Sequence, residues 1–300
     1  MATVVAFVGL GNMGGPMAAN LVKAGVEVHG FDMSKAALDR LTEAGGKATG
    51  AVADAVREAE VVVTMLPEGR HVRSVYLEPA GVLANVREGT LLIDCSTVDV
   101  DTARHVHHAA TQKGLAMVDA PVSGGVGGAT AGTLTFMVGG EPEAFERARP
   151  VLDAMGKTVV HAGSAGSGQA AKICNNMMLG IQMISVCEAM ALATRLGLDH
   201  QKLFEISSKS SGQCWSLTTY CPVPGPVPTS PANRGYEPGF TAAMMLKDLK
   251  LAQAAAQGAG AATPLGALAA QLYNIFALNG NEGLDFSAIF KLIEGSLAER

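Results

Sequence analysis

The chain has few cysteines, and nothing in their spacing would pair them. Its 300 residues include five cysteines and no C-x-x-C pair, at positions 95, 174, 187, 214 and 221. An odd, scattered set argues against both a disulfide framework and a zinc cage. The seven histidines form no H-E-x-x-H motif, so no metal site is expected. These features favour a reduced, intracellular setting, and we predict a cytoplasmic protein.

The chain also lacks a basic cluster and an uninterrupted membrane span. Its formal net charge is −5, so neither nucleic acid nor an anionic membrane surface is indicated as a partner. No basic segment precedes the first apolar run, which argues against a signal or transit peptide. The apolar stretches at 177–198 and 251–278 contain polar residues such as Glu188 and Gln253, so we expect buried helices there rather than membrane spans. Small molecules are the predicted partners.

Hydrophobic residues make up 48% of the chain, enough for a sizeable core, and the length suggests two domains. Over residues 1–163, short β-branched runs alternate with alanine-rich amphipathic segments, as in βαβ units. We predict an α/β fold: a doubly wound Rossmann domain at 1–163, then an all-α domain at 164–300. A long helix at about 168–196 would join the two domains, or support a dimer.

A proline-rich segment at 221–239 interrupts the helical half of the chain. Proline has no backbone N–H, so this segment cannot form a regular helix or a central strand. Trp215 and Tyr220 flank the segment, which suits a loop that covers a substrate. A surface linker stiffened by proline is the alternative.

The glycine-rich turn near the N-terminus indicates a dinucleotide. Val4–Val8 is an apolar run that leads into G-x-G-x-x-G, formed by Gly9, Gly11 and Gly14. The first glycine permits a tight turn, the second lets backbone N–H groups approach a pyrophosphate, and the third allows close helix packing. Asp32 ends the next apolar run, where a carboxylate would bind the ribose hydroxyls and repel a 2′-phosphate. NAD is therefore the predicted cofactor, and a plain strand–turn–helix is the alternative.

Two further turns follow predicted strands on the carboxyl side. Leu66 and Pro67 stand where the predicted strand near 60–66 ends, and Thr97 comes after the strand near 90–95. Ligands of open α/β sheets bind at this edge, so both turns are expected to line the cofactor. Thr97 could instead cap the helix that begins near residue 99.

A run of small residues at 119–128 follows the next strand and suits an anion. Such a run exposes several backbone N–H groups, and Ser123 adds a hydroxyl donor. We predict that Ser123, Gly124 and Gly125 hold a substrate carboxylate. A flexible turn without a ligand is the alternative.

Lys172 and Asn176 form a polar pair on the otherwise apolar long helix. Their i, i+4 spacing places them on one face, one turn apart. Oxidation of an alcohol needs a proton acceptor, and a lysine can serve if burial lowers its reference pKa of about 10.4. Lys172 is the candidate base, with an exposed lysine as the alternative. Lys247, in a second charged patch, could close over the cofactor or form an exposed charge pattern with its neighbours.

Four of these motifs together resemble the β-hydroxyacid dehydrogenases over essentially the whole chain. The matching segments are 7–14 for the cofactor, 119–125 for the substrate, 168–176 for catalysis and 247–249 for closure over the cofactor. The resemblance implies Lys172 as the catalytic residue. It implies substrate contacts at Ser123, Gly124, Gly125 and Asn176. We also predict a substrate contact at Trp215, which flanks the proline-rich segment. The resemblance implies cofactor contacts at Gly9, Leu10, Gly11, Asn12, Met13, Gly14, Leu66, Pro67, Thr97 and Lys247, in addition to the contact already predicted at Asp32.

Within the family, the segments 211–216 and 220–225 are similar to members that act on 3-hydroxyisobutyrate, more than to those acting on tartronate semialdehyde or glyoxylate. The expected reaction is NAD-dependent oxidation to methylmalonate semialdehyde, in valine degradation. Another short β-hydroxy acid, such as L-serine or glycerate, is the first alternative. A noncatalytic dinucleotide-binding module is the second. A homodimer or homotetramer is expected.

Overall fold

The computed structural model describes residues 3–297, which divide into two compact units between Lys172 and Ile173. The strands of the first unit are β1 (Val4–Val8), β2 (Glu27–Phe31), β3 (Lys47–Ala48), β4 (Val61–Thr64), β5 (Leu91–Asp94), β6 (Ala116–Asp119), β7 (Val122–Ser123), β8 (Leu134–Gly139) and β9 (Gly156–Gly163). Its helices are α1 (Gly14–Lys23), α2 (Lys35–Glu43), α3 (Val52–Val56), α4 (Gly69–Leu77), α5 (Val82–Asn85), α6 (Val100–Gln112), α7 (Gly125–Ala131) and α8 (Pro142–Asp153).

The strands form one sheet in the order β3-β2-β1-β4-β5-β6-β8-β7, with β9 beside β8. Strands from β3 to β6 pair in parallel, whereas β8 runs antiparallel to β6 and β7. The predicted doubly wound Rossmann domain is confirmed. The two-residue strands β3 and β7 were not predicted, because two residues carry no alternation of polar and apolar side chains.

The central strands are buried on both faces because their sequences are continuous apolar runs. Phe7 and Val63 belong to the apolar cluster on one side of the sheet, and Val62 and Tyr76 belong to the cluster on the other. Helices cover both clusters, and the polar residues Thr64, Asp94 and Asp119 end the strands β4, β5 and β6.

A long helix, α9 (Ser167–Arg195), begins in the first unit and continues in the second. The other helices of the second unit are α10 (His200–Ser207), α11 (Trp215–Thr218), α12 (Ala242–Ala259), α13 (Pro264–Phe276) and α14 (Phe290–Glu294). Short 3-10 helices lie at Pro231–Arg234 and Phe286–Ile289, and a π-helical turn at Ala277–Asn281 follows α13. The predicted all-α half and the long helix are confirmed. The boundary proposed at residue 163 stays a prediction, and the division between the units falls inside α9.

Helix α9 has one buried and one exposed apolar face in its second half. Met183, Cys187 and Met190 are spaced by four and three residues and are fully buried in the core of the second unit. By length and composition the helix could also cross a membrane, and 39% of its most apolar window is buried within the chain. Leu192 is 59% exposed, so the helix presents apolar surface outward as well.

The proline-rich segment 221–239 is ordered by contacts of its own. Cys221 is fully buried, and its backbone oxygen accepts a hydrogen bond from the hydroxyl of Ser230 at 2.6 Å. The hydroxyl of Tyr236 donates to the backbone oxygen of Pro222 at 2.8 Å. The segment therefore contributes to the core of the second unit, which a simple surface linker would not. Its predicted role as a cover over the substrate stays a prediction.

Candidate active site

The glycine-rich turn between β1 and α1 is tight everywhere except at its middle glycine. Gly9 has a φ of +95°, and a side chain there would meet the backbone oxygen of Met65. A side chain at Gly14 would meet the backbone oxygen of Gly9, whereas Gly11 has no neighbour within 4 Å of the position of a Cβ. Only Gly11 therefore borders open space, as a turn that receives a pyrophosphate requires.

Helix α1 begins without a competing cap. Met13 stands at the N-cap with no side-chain hydrogen bond, and the first turn contains no acidic residue. The first N–H groups of a helix lack acceptors inside it, and together with the helix dipole they favour an anion. The N-terminal end of α1, at the segment between Gly11 and Gly14, therefore suits the phosphates of NAD.

Asp32 ties the glycine-rich turn to the end of β2. Its Oδ2 atom accepts from the backbone N–H of Leu10 at 2.7 Å, and its Oδ1 atom accepts from the N–H of Ser34 at 2.7 Å. Each carboxylate oxygen has two lone pairs, so one on each remains for ribose hydroxyls. Asp32 therefore has a structural role in addition to the predicted ribose contact, and this tie was not foreseen from the sequence.

The turns after β4 and β5 are joined by a buried polar network that sequence reasoning missed. Asp94 Oδ1 accepts from the hydroxyl of Thr64 at 2.7 Å and from that of Ser96 at 2.6 Å. The Ser96 oxygen in turn accepts from the backbone N–H of Leu66 at 2.9 Å. Burial raises the pKa of Asp94, and its hydrogen bonds from Ser96 and Thr64 oppose the shift. The network holds the predicted cofactor residue Leu66 against the turn that contains Thr97.

Thr97 does not cap the following helix. The N-cap of α6 is Asp99, whose Oδ1 atom accepts from the N–H of Thr102 at 2.7 Å. The alternative interpretation of Thr97 as the N-cap is therefore wrong. An N-cap side chain accepts from an N–H group two or three residues later, as Asp99 does from Thr102. Thr97 is half-buried, and Pro67, in the neighbouring turn, is exposed.

The run at 119–128 forms regular structure where a flexible turn was the alternative. Ser123 ends β7, and α7 starts at Gly125. At this junction the backbone has φ values of +135° at Gly124 and +60° at Gly125, which glycine adopts without strain. The predicted carboxylate contacts thus lie at a defined bend between a strand and a helix.

Asp119, at the end of β6, holds the start of α9. Its Oδ1 atom accepts from the N–H of Gly166 at 2.7 Å, and its Oδ2 atom accepts from the N–H of Gln169 at 2.9 Å. Burial raises the pKa of Asp119 to about 6, although both backbone hydrogen bonds favour the charged form.

Lys172 lies about one turn after Gln169 in α9 and is only 7% exposed. The alternative of an exposed lysine is therefore wrong.

In the second unit, Asn176 is 2% exposed and held by two neighbours. Its Nδ2 atom donates to the carboxylate of Asp248, and its Oδ1 atom accepts from Asn175 at 3.0 Å. Lys247 is half-buried, with its Nζ atom 3.4 Å from the other oxygen of Asp248. Asp248 thus contacts two predicted site residues, a role that its position next to Lys247 in the sequence could have suggested.

Trp215 stands on an aromatic stack. Its ring lies 4.9 Å from that of Tyr220 at an angle of 20°, and Trp215 is 46% exposed. The hydroxyl of Tyr220 donates to Asp285 Oδ2 at 2.9 Å, and Asp285 is fully buried. The ring against which Trp215 stacks is therefore itself held in place by a buried carboxylate.

Within residues 3–297, no group of three or more His, Cys, Asp or Glu side chains could hold a metal ion.

Both halves of the chain match known families. Residues 4–163 match the family described as the NAD binding domain of 6-phosphogluconate dehydrogenase. Residues 166–293 match the family described as NAD-binding of NADP-dependent 3-hydroxyisobutyrate dehydrogenase.

Relatives match over nearly the whole length. A 3-hydroxyisobutyrate dehydrogenase of Pseudomonas aeruginosa is 54% identical over 98% of this chain and 99% of its own. An NAD-dependent L-serine dehydrogenase of the same organism is 50% identical over 97% of each chain. A solved structure of 3-hydroxyisobutyrate dehydrogenase from Mycobacterium tuberculosis with L-serine is 51% identical, with a TM-score of 0.93 over 98% of this chain and 99% of the other. The chain therefore belongs to the 3-hydroxyisobutyrate dehydrogenase family of NAD-binding oxidoreductases.

Proposed function

We propose that this enzyme oxidises 3-hydroxyisobutyrate to methylmalonate semialdehyde with NAD, as in valine degradation. One observation carries the proposal: Lys172 is buried in the same unit as the NAD-binding turn, in a chain 54% identical to a 3-hydroxyisobutyrate dehydrogenase. Burial favours a lysine that exchanges a proton with a bound substrate over one that is merely solvated.

In the proposed reaction the alcohol loses two hydrogens by different routes, one from its hydroxyl as a proton and one from its carbon as a hydride. Lys172 Nζ accepts the hydroxyl proton while the carbon of the same alcohol loses a hydride and becomes a carbonyl carbon. NAD, when bound, accepts that hydride at its nicotinamide ring. Ser123, Gly124 and Gly125 are proposed to hold the substrate carboxylate, so that the alcohol is fixed before the proton leaves.

The remaining predicted residues are proposed as contacts. Asn176 and Trp215 would contact the substrate. The cofactor contacts are proposed at Gly9, Leu10, Gly11, Asn12, Met13, Gly14, Asp32, Leu66, Pro67, Thr97 and Lys247. The open position at Gly11 and the uncapped start of α1 support the pyrophosphate site.

Oxidation of L-serine is the second candidate. A relative 50% identical is an NAD-dependent L-serine dehydrogenase, and the similar solved structure from Mycobacterium tuberculosis carries L-serine. Both acids have a hydroxyl on the carbon β to the carboxylate, so Lys172 and the bend at Ser123 could serve either. The two differ at the α-carbon, which carries a methyl group in one and an ammonium group in the other.

A substrate and cofactor panel tests the proposal. Reduced nicotinamide is followed by absorbance with 3-hydroxyisobutyrate, L-serine, glycerate and buffer alone, each with NAD and with NADP. We expect kcat/KM with NAD to favour 3-hydroxyisobutyrate over L-serine by at least about tenfold, roughly 1.4 kcal/mol of discrimination. A preference for L-serine would select the second candidate. No turnover with any acid would favour a noncatalytic module, and Lys172→Ala purified in parallel excludes a contaminating enzyme.

We also propose a cytoplasmic homo-oligomer, either a dimer or a tetramer. Apolar side chains of the second unit are exposed in the single chain: Leu192 is 59% exposed, Leu196 73% and Leu278 78%. Burial of such residues against a second copy is the usual way to remove them from water. Light scattering on the purified protein measures the mass directly, and a monomer would contradict the proposal.

A further inference from the structure

The side chain of Gln169 makes hydrogen bonds to two backbone groups in the turn after β5, one on each side of a single residue. Its Nε2 atom donates to the backbone oxygen of Ser96 at 2.8 Å, and its Oε1 atom accepts from the backbone N–H of Val98 at 3.0 Å. The residue between these two contacts is Thr97, a proposed cofactor contact. A single side chain therefore fixes the backbone on both sides of Thr97, across more than 70 residues of sequence.

Glutamine suits this place because its amide presents a donor and an acceptor at the same end. The backbone at Ser96 and Val98 offers one acceptor and one donor in return. Glutamate would keep only the contact with Val98, and methionine, of similar length, would keep neither. Gln169 is fully buried, so an amide without these contacts would lose its hydration uncompensated. The contact with the turn explains why a polar residue stands here.

The backbone of Gln169 is tied to a second strand. Its N–H donates to Asp119 Oδ2, while the N–H of Gly166 donates to Asp119 Oδ1. Gln169 lies in the first turn of α9 and Gly166 immediately precedes the helix, so neither N–H group has an acceptor inside it. The first turn of α9 is thus held at the end of β6 through its backbone and at the end of β5 through the Gln169 side chain.

Lys172 follows Gln169 by three residues, which is close to one turn of α9. Holding Gln169 therefore determines where Lys172 leaves the helix relative to Thr97. We propose that Gln169 is a positioning residue that sets Lys172 against the cofactor turn at Thr97. The inference rests on the proposed function, in which Thr97 contacts NAD and Lys172 accepts the proton. Gln169 acts through these two residues.

The test compares Gln169→Met, which removes both contacts, with Gln169→Glu, which removes the donor to Ser96. Gln112→Met is the matched control, because Gln112 is exposed at the end of α6. NAD affinity is measured by calorimetry, and kcat and KM are measured with the best hydroxy acid. All assays are run well below the Tm of each variant.

We expect Gln169→Met to weaken NAD binding and to lower kcat, each by at least about tenfold, since a displacement of about 1 Å can cost that much. Gln169→Glu should change both quantities in the same direction, and Gln112→Met should change neither. A folded Gln169→Met variant that has a lower Tm but the wild-type NAD affinity and kcat would show a merely structural role and overturn the inference.

Two further comparisons distinguish a failure of this inference from a failure of the proposed function. If Gln169→Met does not fold, Gln169→Glu is judged by the same criteria. If the wild-type protein oxidises no hydroxy acid, the proposed function fails, but NAD affinity still decides about Gln169. Unchanged affinity in the variants would then overturn its role at Thr97, and weakened affinity would support it.

Discussion

The side-chain amide of Asn176 donates a hydrogen bond to the carboxylate of Asp248, 72 residues further along the chain. Its carbonyl end accepts from Asn175, so both ends of the amide are held. Asn176 and Asp248 are 2% and 4% exposed, which removes competition from water. An amide fixed in this way presents its remaining N–H in one direction, as a substrate contact requires.

Asp248→Ala should release Asn176 and raise KM for the hydroxy acid by about tenfold, with a loss of about 1–3 kcal/mol of unfolding free energy from the unpaired buried amide. Asp248→Asn is the matched control, because its carbonyl oxygen can still accept from Asn176. Steady-state kinetics and urea denaturation measure the two effects. An unchanged KM in the alanine variant would mean that Asn176 needs no orientation by Asp248.

Lys172→Ala should lower kcat by about two to four orders of magnitude, the usual contribution of a positioned proton acceptor. NAD affinity should stay nearly the same, because the glycine-rich turn is unaffected. Lys157→Ala is the control, since Lys157 is exposed on β9. Single-turnover measurements and NAD titration check the split, and substantial turnover in Lys172→Ala would remove Lys172 from the chemistry.

Gly11→Ala and Gly14→Ala should fail in different ways. A methyl group at Gly11 meets nothing in the protein, so the fold should keep its stability while the methyl group obstructs the pyrophosphate. We expect NAD binding to weaken by at least about tenfold, or roughly 1.4 kcal/mol. A methyl group at Gly14 would meet the backbone of Gly9, so that variant should lose stability even without NAD. Calorimetry and thermal unfolding separate the outcomes, and equal NAD affinity in Gly11→Ala and wild type would contradict the site.

Asp32→Ala should raise the use of NADP relative to NAD by about tenfold, since a carboxylate repels the 2′-phosphate. It should also weaken binding of both cofactors, because Leu10 and Ser34 lose the acceptor for their N–H groups. Asp39→Ala, which removes an exposed carboxylate paired with Lys35, is the control. The ratio of kcat/KM for the two cofactors is the readout. A constant ratio would show that Asp32 acts only on the glycine-rich turn.

Asp119 should make stability depend on pH in a defined window. Its pKa is raised from 3.8 to about 6 in the folded chain, so the folded state binds the proton more tightly than the unfolded state. The stabilisation is complete below pH 3.8 and is lost as the pH rises through about 6, an effect of at most about 3 kcal/mol. Urea unfolding from pH 4 to pH 7 should show the advantage of the wild type over Asp119→Asn shrinking as the pH rises. An advantage that grows with pH would reverse the assigned shift.

Patterns with a strong local cause were predictable from the sequence. The apolar runs of β1, β4 and β5 indicated buried parallel strands, and G-x-G-x-x-G with Asp32 indicated a dinucleotide. The short helices α3, α5 and α11 were not predicted, because four or five residues carry little periodicity. Thr97 was offered as a cap because hydroxyls often cap helices, yet Asp99 takes that place.

The sequence by itself determined the kind of ligand and the kind of chemistry, because glycine, aspartate and lysine at these spacings each have few physical uses. Only the tertiary structure decided what holds them. Hydrogen bonds join Thr64 with Asp94 across 30 residues, Asp119 with Gln169 across 50 and Asn176 with Asp248 across 72. A hydrogen bond depends on where two atoms lie in space, and no spacing along the chain encodes that distance.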